Sequence, residues 1–160
     1  MAIQYAKAMG FKVVVVENDH AQLDDAKRVG ADYTLKPSDL SPDHVVAFIK
    51  RTGGGVDAAV SFTTSSQSYS IMQGLIKSNG ILVVAGIIDE LRVGPIDVRF
   101  KSLFIKGDSN VTTRDLKECL EFSAKHDIKA SRKFIKPSDL PHAIEEMKSG
   151  VVRECMIVVF

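Results

Sequence analysis

Few side chains in this sequence could do chemistry, and the best placed is Glu17. It ends the run Phe11-Lys-Val-Val-Val-Val16, whose β-branched apolar residues read as a buried strand. Ahead of that run, residues 2–9 are patterned as an amphipathic helix, with Gly10 as the turn between the two. Helix, then strand, then carboxylate is the order of the second half of a dinucleotide-binding βαβ unit. The strand and Gly-x-Gly-x-x-Gly turn that open such a unit are not among these residues. Other candidates carry less weight. His20, His44, His126 and His142 fall on helical surfaces or helix ends, and Asp57 and Asp97 lack a second acid at a spacing for general acid–base work. Nothing resembles a nucleophile–base pair. Cys119 and Cys155 have neither C-x-x-C nor H-E spacing, so no zinc site is expected and both read as reduced core thiols.

The elements that must position Glu17 alternate, as in a parallel sheet covered by helices on both faces. The uninterrupted β-branched run 13–16 predicts a central strand rather than an edge. Helix 21–29 presents Leu23, Ala26 and Val29 on one side, with charged residues opposite and Gly30 as its carboxyl cap. Residues 32–35 form a short strand. Ser41-Pro42 opens a helix to about Arg51, which Gly53-Gly-Gly55 ends. Strand 57–62 leads through the polar run 63–68 into helix 67–77, followed by an apolar strand over 81–86. After Gly94-Pro95 and a loop come strand 102–106 and helix 113–125. Lys136-Pro-Ser-Asp139 opens a last helix, and residues 155–160 form a last strand.

Composition bounds the rest. A chain of 160 residues is long enough for a proper core, and 45% hydrophobic residues with net charge +1 describe an ordinary globular protein. No basic field is available for nucleic acid, and no apolar run approaches the roughly 20 residues that span a bilayer. No signal peptide precedes the first helix, and the isolated thiols fit the cytoplasm.

Several segments resemble, in order, the coenzyme domain of the zinc-type (medium-chain) alcohol dehydrogenases. Ala2-Ile-Gln-Tyr-Ala-Lys-Ala-Met-Gly10 is similar to the helix after that family's glycine turn, and Val29-Gly-Ala-Asp32 to its turn before the third strand. Gly55-Val-Asp-Ala-Ala-Val60 and Gly80-Ile-Leu-Val-Val-Ala-Gly86 resemble its fourth and fifth strands. Ser102-Leu-Phe-Ile-Lys-Gly107 with Arg114-Asp-Leu-Lys-Glu-Cys-Leu-Glu-Phe122 resembles its sixth strand and next helix. Ala143-Ile-Glu-Glu-Met-Lys-Ser-Gly150 and 155–160 resemble its closing helix and strand.

The resemblance implies an α/β, Rossmann-like parallel sheet truncated at its amino end: residues 1–130 as a dinucleotide-binding domain, 131–160 as a helix and strand of the family's catalytic domain. It implies NAD as cofactor. Glu17 would accept the adenosine ribose hydroxyls and repel the extra phosphate of NADP. The family's lysine five positions later is Gln22 here. Phe62, Thr63 and Thr64 would contact adenine and the nicotinamide ribose, and Ala85, Gly86 and Ile87 the carboxamide. The family's phosphate-binding arginine aligns with Thr113; Arg114, one residue late and about 100° around a helix, is either its replacement at the cofactor phosphates or a surface charge. The zinc ligands belong to an upstream domain, so this stretch by itself would bind NAD weakly or not at all and would not oxidise alcohols.

The family's sheet order is 3-2-1-4-5-6, so its first strand lies in the middle. Without it, strands 13–16 and 57–62 would close directly, or the apolar tail 156–160 or a partner strand would enter the slot. Exposed edges of this kind favour a homodimer through the sheet edge or the carboxyl-terminal strand. The expected function is an NAD-linked, alcohol dehydrogenase-like oxidoreductase domain. The alternative is a domain repurposed for small-molecule binding or protein interaction, its old cleft lined by loop 63–68 and the Ser-, Thr- and Asn-rich region 107–114.

Overall fold

The computed structural model describes residues 1–107, 111–150 and 152–160. Asp108, Ser109 and Asn110, within the expected cleft lining 107–114, lie outside the described residues. The chain divides into two compact units, one of Met1–Thr34 with Thr113–Phe160 and one of Leu35–Thr112.

In the first unit a single carboxylate fixes how the opening helix meets the strands. Helix α1 (Ala2–Ala8) is followed by strand β1 (Val14–Val16), helix α2 (His20–Arg28) and strand β2 (Tyr33–Leu35), which pairs with β1. Asp32 accepts from Lys7 Nζ at 2.8 and 2.9 Å and from the Val13 backbone N–H at 2.6 Å. The Asp32 and Tyr33 N–H groups donate back to the Val13 carbonyl at 2.9 and 3.1 Å. Gly30, at φ +102°, lets the Lys7 stem pass: a Cβ there would lie 3.3 Å from Lys7 Cγ. The Val29-Gly-Ala-Asp32 segment is thus a clamp holding α1 against the start of β1 and β2. Across the unit, Tyr5 stacks on Phe122 of helix α6 (Thr113–Lys125), and its hydroxyl hydrogen-bonds Cys119 and Ser123. Gln4 grips the Lys129 backbone with both ends of its amide.

The unit ends in β6 (Arg132–Ile135), α7 (Leu140–Lys148) and β7 (Cys155–Val158). The two strands pair in parallel from Arg132↔Cys155 to Ile135↔Val158, with a helical crossover between them. Strand β6 is a departure from expectation, because four residues with two cations give no strand period. It supplies the tail with a partner inside its own unit.

The second unit holds helix α3 (Pro42–Arg51), β3 (Val56–Ser61), α4 (Ser66–Leu75), β4 (Ile76–Val84), α5 (Pro95–Lys101) and β5 (Phe104–Gly107). Its sheet is parallel in the order β3-β4-β5. Leu82, Tyr69, Ile76 and Leu103 form the core, with Val56, Ala59, Met72 and Val84 packed around them. Strand β4 begins at Ile76 rather than 81, directly out of α4, because Ile76 already pairs with Val56. Register then shifts: Ala58 pairs with Ile81, leaving 77–80 opposite Asp57. Helix α5 replaces an expected loop; Gly94 precedes it, Pro95 occupies its first turn, and Asp97 pairs with Lys101.

Two further expectations are corrected. Strand β1 is not central: among the described residues its one ladder neighbour is β2. A β-branched run measures β propensity, not the number of neighbours. Both cysteines are free but exposed rather than core thiols, Cys119 on α6 and Cys155 at the start of β7.

The Lys7 hydrogen bond, with the Val13 N–H, holds the Asp32 carboxyl below its ordinary value of 3.8. A depressed carboxylate stabilises the fold above the unfolded-state pKa and loses that contribution as pH falls through the folded one. Urea unfolding of Asp32→Asn should therefore show a lower midpoint than the parent at pH 7, and the difference should close on acidification below pH 3.8. A difference independent of pH would show that the carboxylate charge is not what holds the clamp.

Candidate functional site

Each unit holds candidate residues of its own. In the first, β1 delivers Glu17 half-buried at its carboxyl end. Its Oε1 accepts from the N–H of Asn18 at 2.7 Å and of Asp19 at 3.3 Å, so the carboxylate lies over the chain as it turns into α2. Asp19 caps that helix by accepting from Ala21 N at 2.8 Å, and Arg153 reaches Asp19 at 3.5 Å. Glu17 and Val15, two residues apart on one face of the strand, line an open cavity of about 1000 Å³ with Gln22, Lys129 and Arg153. Arg114 also lies in this unit, at the start of α6. It is 86% exposed along its side chain and is committed to Glu118, one turn on, at 2.8 Å.

In the second unit the structure brings together the two loops expected to face a ligand. Ser61, the last residue of β3, receives Ala85 N and Gly86 N on its carbonyl at 3.2 and 2.8 Å. Its hydroxyl meets Thr63 Oγ1 at 3.4 Å, and Thr63 Oγ1 accepts from Ser65 N at 3.3 Å. Gly86 sits directly on the Thr63 backbone: a Cβ would run into the Thr63 carbonyl oxygen and lie 2.8 Å from its carbon and 2.9 Å from its nitrogen. Tyr69 of α4, 1% exposed, donates from its hydroxyl to the Gly86 carbonyl at 2.9 Å. Thr63 and Gly86 therefore form one fixed platform at the carboxyl ends of β3 and β4, which is where open α/β sheets take ligands. Ala85 is half-buried within it and Thr64 exposed beside it. Phe62 and Ile87 flank the platform, 67% and 87% exposed, and offer apolar surface to a planar ring.

Sequence reasoning did not find Ser61 and Tyr69. Their signal was present: a serine closing an apolar strand, and one tyrosine in the otherwise polar start of a helix, each buried with a hydrogen-bonded hydroxyl. The four histidines are exposed, as expected. Among the described residues no three His, Cys, Asp or Glu side chains cluster to hold a metal ion.

Strand–helix alternation and parallel pairing define an α/β domain of Rossmann type. Residues 1–125 match the family profile of the zinc-binding dehydrogenases, and the chain belongs to that family. It is 33% identical over 130 residues to an alcohol dehydrogenase of Geobacillus stearothermophilus, covering 81% of this chain and 38% of that protein. Alcohol dehydrogenase 9 of Catharanthus roseus is 31% identical over 159 residues, covering 96% and 41%. The chain thus spans less than half the length of these relatives. Among solved structures, that of AibC superposes with a TM-score of 0.86 at 25% identity over 99% of this chain and 48% of that one. The alcohol dehydrogenase of Aeropyrum pernix shares the fold at a TM-score of 0.85 and 22% identity, covering 99% and 46%.

Gly86→Val tests the platform. The added side chain must displace the Thr63 backbone, a cost of about 1–3 kcal/mol for overpacking, read as a lower urea midpoint together with altered chemical shifts at Thr63 and Ser65. An unchanged midpoint would show that the two loops do not depend on each other.

Proposed function

We propose that this chain carries the nicotinamide-dinucleotide-binding part of an NAD-linked oxidoreductase of the alcohol dehydrogenase type. The carrying observation is Glu17 at the carboxyl end of β1, in a chain of the zinc-binding dehydrogenase family. In this reading Glu17 exchanges its local N–H donors for the hydroxyls of the adenosine ribose, and its charge disfavours a phosphate there. Phe62, Thr63 and Thr64 take adenine and the nicotinamide ribose, while backbone groups of Ala85, Gly86 and Ile87 orient the carboxamide. Arg114 swings from Glu118 to the pyrophosphate. When bound, NAD supplies the hydride acceptor; the residues named here bind and orient it. Zinc is not assigned to this stretch. Residues 1–130 act as the dinucleotide-binding domain, and 131–160 are a helix and strand of the family's catalytic domain.

NAD binding to these residues alone is weak, because backbone amides of a glycine turn, the usual pyrophosphate anchor, are not among them. A cytoplasmic homodimer is the proposed setting; no helix of the described residues is long and apolar enough to cross a membrane. A second reading, a domain repurposed to bind another small molecule, draws on the Glu17 carboxylate being already turned onto Asn18 and Asp19.

The test is a titration of NADH and NADPH followed by nicotinamide fluorescence, since the chain has no tryptophan. NADH should bind more tightly than NADPH. Glu17→Ala should weaken NADH about tenfold or more, the loss of hydrogen bonds to a charged acceptor, without moving the unfolding midpoint. Equal affinity in parent and variant would overturn the ribose assignment, and absence of NADH binding at millimolar concentration would favour the repurposed domain.

A further inference from the structure

We propose that Asn79-Gly80 is a built-in site of spontaneous deamidation and isoaspartate formation. Three features meet there. Asn79 is exposed and held at φ +61°, a left-handed conformation that asparagine tolerates better than most residues. It stands in the stretch 77–80 that leaves the β3–β4 register, between the pairs Val56↔Ile76 and Ala58↔Ile81. Among the described residues no side-chain hydrogen bond holds its carboxamide.

The residue that follows must be glycine. A Cβ at position 80 would collide with Ile76 Cγ2 and lie 2.9 Å from the Lys77 carbonyl oxygen and 3.0 Å from that of Asp57. Gly80 itself is buried, and the packing that returns the strand to register excludes every side chain at that position. The fold cannot replace the glycine that makes the neighbouring asparagine reactive.

The chemistry needs only water. The Gly80 backbone nitrogen, giving up its proton to solvent base, attacks Asn79 Cγ. The Cγ–Nδ2 bond breaks and ammonia leaves with a proton from solvent, closing a five-membered succinimide. Water then opens either carbonyl, yielding aspartate or, with the main chain rerouted through the side-chain carbon, isoaspartate. No electrons are transferred, and one amide is exchanged for one carboxylate. In the isoaspartyl product the backbone gains an atom inside the stretch that sets the register between β3 and β4, next to the Lys77–Asp57 ion pair. Ageing at this site should therefore loosen the second unit and leave the first intact.

The experiment is incubation of the full chain at 37 °C and mildly alkaline pH, with peptide mapping over time. The peptide carrying Asn79 should gain one mass unit and become a substrate for isoaspartyl methylation. The peptide carrying Asn18, which precedes Asp19, should do so far more slowly. Asn79→Gly keeps the left-handed conformation accessible and should abolish the change while leaving the fresh protein's unfolding midpoint near that of the parent. If Asn79 gains mass no faster than Asn18, or if methyl acceptance persists at the same level in Asn79→Gly, the proposal fails.

Discussion

The carboxylate of Asp32 is the point on which the first unit turns. It accepts from Lys7 of α1 and from the Val13 N–H at the entry to β1, while its own backbone N–H returns to the Val13 carbonyl. Three elements distant in sequence thus share one charged acceptor. A charge-assisted pair of this kind gains from geometry rather than burial, because both side chains remain about a third exposed. Glu17 depends on it indirectly: the direction in which β1 leaves Val13 decides where its last residue presents the carboxylate. The family resemblance of Val29-Gly-Ala-Asp32 therefore has a structural reason, with glycine clearing the Lys7 stem and aspartate binding its ammonium.

The second unit solves the same problem with neutral groups. The Ser61 carbonyl draws in two successive amides from the end of β4, and the Tyr69 hydroxyl holds the Gly86 carbonyl from beneath. The result is a rigid junction of two strand ends with exposed apolar side chains on its flanks. Among the described residues no three His, Cys, Asp or Glu side chains group to hold a metal ion.

Much of the architecture was legible because periodicity is local. Helix α6 spans Thr113–Lys125 as its pattern dictates, and the capping serine and proline set the start of α3. Elements that depend on distant partners were not legible. Strand β6 exists because Cys155–Val158 pairs with it, and the early start of β4 because Val56 meets Ile76. The expected central position of β1 failed for the same reason, since strand neighbours are a property of the assembled sheet. Strand-end positions such as Glu17 and Gly86 could be read from the sequence, whereas Ser61 and Tyr69 carried only weak local signals and gain their hydrogen-bond partners in the fold.

The most direct test of the account is a map of backbone amide chemical shifts during titration with NAD. If the dinucleotide uses these strand ends, the amides of Asn18 and Asp19 should move as Glu17 releases them, together with those of Thr63, Ala85 and Gly86. Shifts confined to other surfaces, or none at millimolar NAD, would contradict the assignment of this chain as a dinucleotide-binding domain.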